Sequence, residues 1–216
     1  MNWDWAFAWE IIPRLLDGLV VTVEITLAGS VIAMVLGLVI AIVRFSKVPV
    51  LSQVVGGLVQ FIRGTPLLVQ AFFLFYVFPS YGLTLPALTT GILAIGIHYS
   101  AYAAEVYRGG IESVPRGQWE AATALSLSVR RRWTGVVLPQ AIRAVIPSLG
   151  NYVIAMFKDS AILAAITVVE LLNTAQAIGS DSYRYIEPLT LAGLLYLLVS
   201  YPAARLIRGL EHRLAT

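Results

Sequence analysis

Apolar residues fill long stretches of this chain, and its polar residues gather between them. Leu19 to Val43 is a 25-residue run interrupted only by Thr22, Glu24, Thr26, Gly29, Ser30 and Gly37, enough to cross the hydrocarbon core of a bilayer with some tilt. Arg44 and Lys47 follow at once, which predicts that this end is cytoplasmic and that the N-terminus lies outside. Ahead of the run, Trp3, Trp5, Phe7 and Trp9 stand beside Asp4 and Glu10. That mixture suits the headgroup level, so residues 1–17 are predicted to form an external interfacial segment. With no basic start of the signal-peptide kind, the first run is expected to be kept as an anchor.

A second apolar stretch, Val54 to Phe78, is interrupted at Arg63-Gly64-Thr65-Pro66. Thr65 fits an N-cap and Pro66 a first helical position, so a helix should restart at Leu67. From there to Phe78 is only about 18 Å of helix, too short to cross alone, which predicts a broken or kinked span. Pro79-Ser80-Tyr81-Gly82 reads as an external turn, and Leu85 to Tyr107 as a return to the cytoplasm. A polar, Arg-rich insert then runs from Gly117 to Ala141. Within it, Trp119 to Leu127 is a helix too short to span, and Ser128 is the N-cap of the next helix. The following crossing runs to Phe157, with Pro139 and Pro147 as kink sites. Ala161 to Val169 is too short to cross and reads, with the residues to Glu187, as re-entrant or external. Leu189 to Leu206 makes the last span.

Composition agrees with five crossings in a single domain covering 1–216. The chain is 58% hydrophobic and 12% charged with a mean hydropathy of +0.80, far from the balance of a soluble domain. Twelve of the 15 Lys and Arg residues fall on the cytoplasmic side of this topology, all but Arg14, Lys158 and Arg184, supporting N-out and C-in. The net charge of +3 therefore sets orientation, and nucleic acid is not expected as a partner. Absence of Cys removes thiol and zinc–thiolate chemistry. No Ser-His, paired-Asp or metal constellation on adjacent turns suggests an intramembrane enzyme.

Glu120-Ala121-Ala122, followed by Leu138-Pro139-Gln140-Ala141, resembles the EAA loop of ABC importer permeases. The likeness continues through Phe61-Ile62-Arg63-Gly64-Thr65-Pro66-Leu67-Leu68-Val69-Gln70, Ala101-Tyr102 with Glu105, Arg108-Gly109-Gly110-Ile111, Gly117-Gln118, Leu149-Gly150-Asn151 and Lys158-Asp159-Ser160, all similar to the polar amino acid uptake branch. The resemblance implies an all-α, type I-like integral membrane fold of about five transmembrane helices, with residues 109–136 as a cytoplasmic coupling loop. Its coupling helix would enter a groove of an ATP-hydrolysing subunit through Gly117, Trp119, Glu120, Ala121, Ala122, Leu125, Ser126, Leu138 and Pro139. Ser126 stands where the family usually has Gly. The chain has no GxxxxGK[ST] phosphate cradle, so ATP and Mg belong to the partner and this chain carries no cofactor. The resemblance further implies a permease dimer with itself or a sister chain, an extracytoplasmic solute-binding protein, and a bacterial inner-membrane location.

Ionisable groups inside spans are the candidates for a solute path, because burying them in lipid is costly. They are Glu24, His98 and Tyr102, Lys158 and Asp159, while Glu105 and Arg108 read as a structural pair at i, i+3. An ion-coupled carrier relaying through Glu24, His98 and Asp159 is the alternative to an ATP-driven permease. The wording Gly150-Asn151-Tyr152, Met156-Phe157-Lys158-Asp159 and Ile166 to Leu172 is similar to permeases of ectoine and hydroxyectoine uptake.

Overall fold

A computed structural model of the chain describes residues 3–45 and 48–215. Lys47, counted above among the cytoplasmic cations, lies outside the described residues. Those residues form an all-helical bundle: α1 (Trp5–Phe45), α2 (Pro49–Gly64), α3 (Leu67–Phe72), α4 (Ala87–Glu112), α5 (Arg116–Ala124), α6 (Val129–Arg132), α7 (Leu138–Asp159), α8 (Leu171–Ser182) and α9 (Ile186–Ala215). Trp5 to Asp17, most of the stretch read as an interfacial segment over 1–17, is helical and continuous with the first span in α1, which runs unbroken for 41 residues, about 61 Å, or twice the hydrocarbon thickness.

α1 and α4 make the most extensive helix pair, and small residues allow it. A Cβ on Gly37 would stand 2.7 Å from that of Ala103, and one on Gly96 would stand 2.7 Å from Ile32, so each glycine permits a close approach that Ala would block. Between these helices lies the main core, where Ile25, Ala33, Ile95, Met156, Leu163 and Ile166 meet.

α1, the helix from Val129 to Ile166, and α9 are each long and apolar enough to span a bilayer, and the α2–α3 pair qualifies as a broken span bent by 104°. α4 has 26 residues, hence the length, but it is less apolar. The reason lies in its place: α1, α2, α3 and α7 all pack against it, and Thr90, His98, Tyr99 and Ser100 are buried in protein. With α4 the bundle has about five spans. α9, by contrast, turns Leu194, Leu197, Leu198 and Leu206 outward, as a lipid-facing helix does.

The break between α2 and α3 differs from the sequence reading in one detail. Thr65 does not cap α3; Pro66 occupies that position without a side-chain bond. Instead, Thr65 Oγ1 donates to the carbonyls of Phe61 and Ile62, at 3.1 and 3.2 Å, oxygens left open by the end of α2. α3 continues through a wide π turn, Phe73–Val77, and a 3₁₀ turn, Phe78–Tyr81, closed by Gly82 at φ 81°. A second π turn, Trp133–Val137, precedes α7. It relieves Pro139, which has no N–H for the Gly135 carbonyl.

Candidate functional site

Two polar regions interrupt this bundle, one at the end where α5 joins α4 to α7 and one among the spans. At the first of these, α5 is nine residues long, beginning three residues earlier than predicted because Pro115 sets its first turn. Trp119 is half-buried, edge-on to Trp133 at 5.3 Å, and with Val114, Val137 and Ala141 it forms a small core. Ala122 is buried as well. Trp119 therefore packs in part against the π turn and the start of α7 and Ala122 faces inward, so neither supplies most of an outward groove-filling face. That face comes instead from Glu120, Ala121 and Ala124, all exposed, and from Leu125, 74% exposed. Trp119, Glu120, Thr123 and Ala124 line a shallow recess of about 370 Å³. No ion pair joins Glu120 to Arg130, Arg131 or Arg132 among the described residues. Gly117 is open, with nothing near its Cβ position. Leu138 and Pro139 lie at the base of α7, where Gln140 Nε2 donates to Gln118 Oε1 at 3.4 Å.

Ser126 ends α5 in the left-handed conformation, φ 52°. Its N–H donates to the Thr123 carbonyl at 2.9 Å, and that of Leu127 to the Ala122 carbonyl at 3.1 Å. These two bonds make a Schellman ending with Ser126 at C′, the place where glycine is favoured. Ser128 Oγ then accepts from the Arg131 N–H, as its N-cap assignment predicts.

Among the spans, one face of α4 carries His98, Tyr102 and Glu105, at i, i+4 and i+7. The rings of His98, Tyr99, Tyr102 and Tyr152 stand 5.2 to 5.9 Å apart. Tyr99 Oη donates to Asp159 at 2.6 Å, so Asp159 joins this cluster. Lys158 does not: it is exposed and forms no ion pair with its neighbour. Glu24 is also apart, on the outward face of α1 with Val20, Leu27 and Val31. A relay through Glu24, His98 and Asp159 therefore has no continuous geometry.

The cluster is fastened to the α2–α3 break. Gln70 Nε2 donates to the Ile62 carbonyl at 2.8 Å and to Thr65 Oγ1 at 2.7 Å, while its Oε1 meets His98 Nδ1 at 3.2 Å. The Arg63 guanidinium lies 5.2 Å from the centre of the Tyr102 ring. Below it Glu105 receives Arg44, Arg108 at 2.8 Å and Arg63 at 3.9 Å, a larger network than the expected Glu105–Arg108 pair. Gln70 and Tyr152 were not singled out from sequence. Gln70 had a signal: it is the sole strongly polar side chain in the α3 segment. Glu170 was missed too. Fully buried, it caps α8 by accepting from Leu172 N and Asn173 N at 2.8 and 2.7 Å, and it accepts from Tyr196 Oη at 2.7 Å.

Residues 33–216 match the family described as the inner membrane component of binding-protein-dependent transport systems. The chain belongs to that family. It is 47% identical over 207 residues to a probable amino-acid ABC transporter permease protein of Sinorhizobium fredii, covering 96% of this chain and 90% of the relative. It is 35% identical over 215 residues to the L-cystine transport system permease protein of Bacillus subtilis, covering 97% and 92%. A crystal structure of an amino acid ABC transporter with histidines superposes with a TM-score of 0.94 at 35% identity, over 99% of this chain and 100% of that one. The inward-facing MetNI methionine transporter, at 18% identity and TM-score 0.75 over 93% and 98%, shares the fold. This inner membrane component is a transport subunit, not an enzyme. Membership brings with it an ATP-hydrolysing partner and a solute-binding protein.

Proposed function

We propose that this permease subunit moves a polar amino acid or amino-acid-derived solute inward by alternating access, driven by a partner ATPase that grips α5, with its N-terminus outside and C-terminus inside. The observation that carries the reading is the construction of α5: anchored by Trp119 and Ala122, it offers an unpaired Glu120 and an exposed Leu125. A docked ATPase pulling on that face moves α4 and α7 together, because α5 links the end of one to the start of the other. His98, Tyr102 and Asp159, with Tyr99, Tyr152 and Gln70, are the solute path; Glu24 and Lys158 serve it only from outside the cluster. Two copies, or this chain with a sister permease, enclose the path. The amino-acid class is supported by relatives whose names specify amino acids, cystine and glutamine.

Ectoine and hydroxyectoine are the narrower substrate reading, supported by the wording of residues 150–172. Uptake of labelled ectoine and of competing polar amino acids by proteoliposomes holding the whole transporter and its binding protein tests both levels. Saturable, ATP-dependent uptake of ectoine supports the narrow reading; ATP-dependent uptake of amino acids alone rejects it. Uptake without ATP that an uncoupler abolishes overturns the permease mechanism.

A further inference from the structure

Glu170 is a buried carboxylate that the solute path does not use. Away from water such a group is costly unless hydrogen bonds replace its hydration. Here they come from two helices: the N–H groups of Leu172 and Asn173 at the start of α8, and the hydroxyl of Tyr196 on α9. The next residue along, Leu171, donates its N–H to Thr22 Oγ1 of α1 at 3.1 Å. α1, α8 and α9 are thus joined at one point, and α9, which turns leucines outward, sends Tyr196 inward to reach it.

From that point the chain leads back to the aromatic cluster on α4. Asp159, which accepts from Tyr99, is followed by a 3₁₀ stretch, Ser160–Ile166, and Thr167 then turns the backbone at φ 66°. Leu163 and Ile166 are fully buried. Leu163 and Val168 close on Gly91 of α4, where a Cβ would stand 2.8 Å from the first and 3.4 Å from the second. Tyr196 grips this stretch on both sides of Asp159. Its ring meets that of Phe157 edge-on at 5.4 Å, and its hydroxyl meets Glu170 at 2.7 Å. Ser160 Oγ, donating to the Phe157 carbonyl at 2.8 Å, keeps the intervening turn closed.

We propose that Glu170 is a positioning residue: held by Tyr196, its carboxylate fixes the segment that follows Asp159 and so holds Asp159 against Tyr99. Glu170 itself touches no solute. The transport consequence rests on the reading of the Tyr99–Asp159 cluster as the solute path, whereas the positioning does not. A 3-fluorotyrosine placed at position 99 of the whole reconstituted transporter tests the positioning, because its fluorine resonance senses whether the hydroxyl donates to a carboxylate. Asp159→Leu marks the signal of the released ring. Tyr196→Phe removes one hydroxyl and keeps the ring against Phe157, and Glu170→Gln keeps the shape and loses an acceptor; each should move or split the signal toward that of Asp159→Leu. Ile178→Val, which trims the α8 packing without touching Glu170, should leave it in place. If Glu170→Gln does not assemble, Tyr196→Phe carries the test. A signal unchanged in the assembled variants, or moved as far by Ile178→Val, overturns the proposal. Uptake of a labelled amino-acid mixture with ectoine by the same vesicles tests the consequence: Tyr196→Phe should lower it about fivefold, the effect of one lost hydrogen bond. A moved signal with uptake unchanged in Asp159→Leu leaves the positioning standing and overturns the path reading. Parent vesicles that take up neither solute class overturn the importer reading.

Discussion

Ser126 holds a conformation that glycine adopts freely and other L-residues adopt at a cost of roughly 1–2 kcal/mol. Ser126→Gly is therefore expected to stabilise the α5–α6 turn by about 1 kcal/mol, read as slower amide exchange at Ser126 and Leu127, with transport retained. Ser126→Val should loosen the same amides. Glu105 is the other residue on which several elements depend, since α1, α2 and α4 each bring an arginine to its carboxylate. Glu105→Gln leaves three guanidinium groups without their shared anion and is expected to cost about 2 kcal/mol. Chemical unfolding in detergent checks the loss. A smaller cost for Arg108→Gln is expected, because Arg108 is the most exposed of the three cations.

The elbow between α2 and α3 is the element whose geometry depends most on a single side chain. Gln70 bonds Ile62, Thr65 and His98 at once, so Gln70→Leu removes about three hydrogen bonds at roughly 1 kcal/mol each. Because the chain has no Cys, introduced cysteines on the exposed positions Leu51 and Tyr76 can be spin-labelled uniquely. Their distance distribution should be narrow in the parent and broad in the Gln70→Leu variant; equal widths would show that Gln70 does not set the bend. At the end opposite α5, the N–H of Phe7 first, and Arg184 second, hold the Asp4 carboxyl below its ordinary value. A lowered carboxylate pKa stabilises at every pH above the ordinary range and loses that contribution as pH falls through the lowered value. The first turn of α1 should thus be indifferent to pH near neutrality and loosen only below about pH 4, seen as a change in Trp3 and Trp5 fluorescence that Asp4→Asn diminishes.

On the scale of the whole molecule, most of the architecture was legible because lipid imposes a coarse rule on sequence. The apolar runs after Leu19, the Arg63–Pro66 interruption and the short helix between α4 and α7 all appear where hydropathy and helix breakers put them. What was hidden depends on neighbours distant in sequence. Tyr99 reaches Asp159 and Tyr102 reaches Tyr152 only because α4 and α7 pack side by side, and nothing local in either segment reports that. Trp119 reads as an outward contact until the π turn and the start of α7 bring Trp133 and Ala141 against it. Glu24 shows the converse: its place in a span suggested a pathway, but the direction it faces is a property of the bundle.

The central claim is that ATP hydrolysed elsewhere moves solute through this chain by way of α5. The most direct measurement is ATP-dependent solute uptake by proteoliposomes containing the whole transporter, comparing the parent with Glu120→Arg and Leu125→Asp. Neither substitution touches the anchoring face formed by Trp119 and Ala122. Both variants are predicted to leave the membrane bundle folded and to lower uptake by about tenfold or more, the effect of about 1.4 kcal/mol lost at the coupling surface. Uptake equal to the parent in both variants, or uptake by the parent without ATP, would contradict the account.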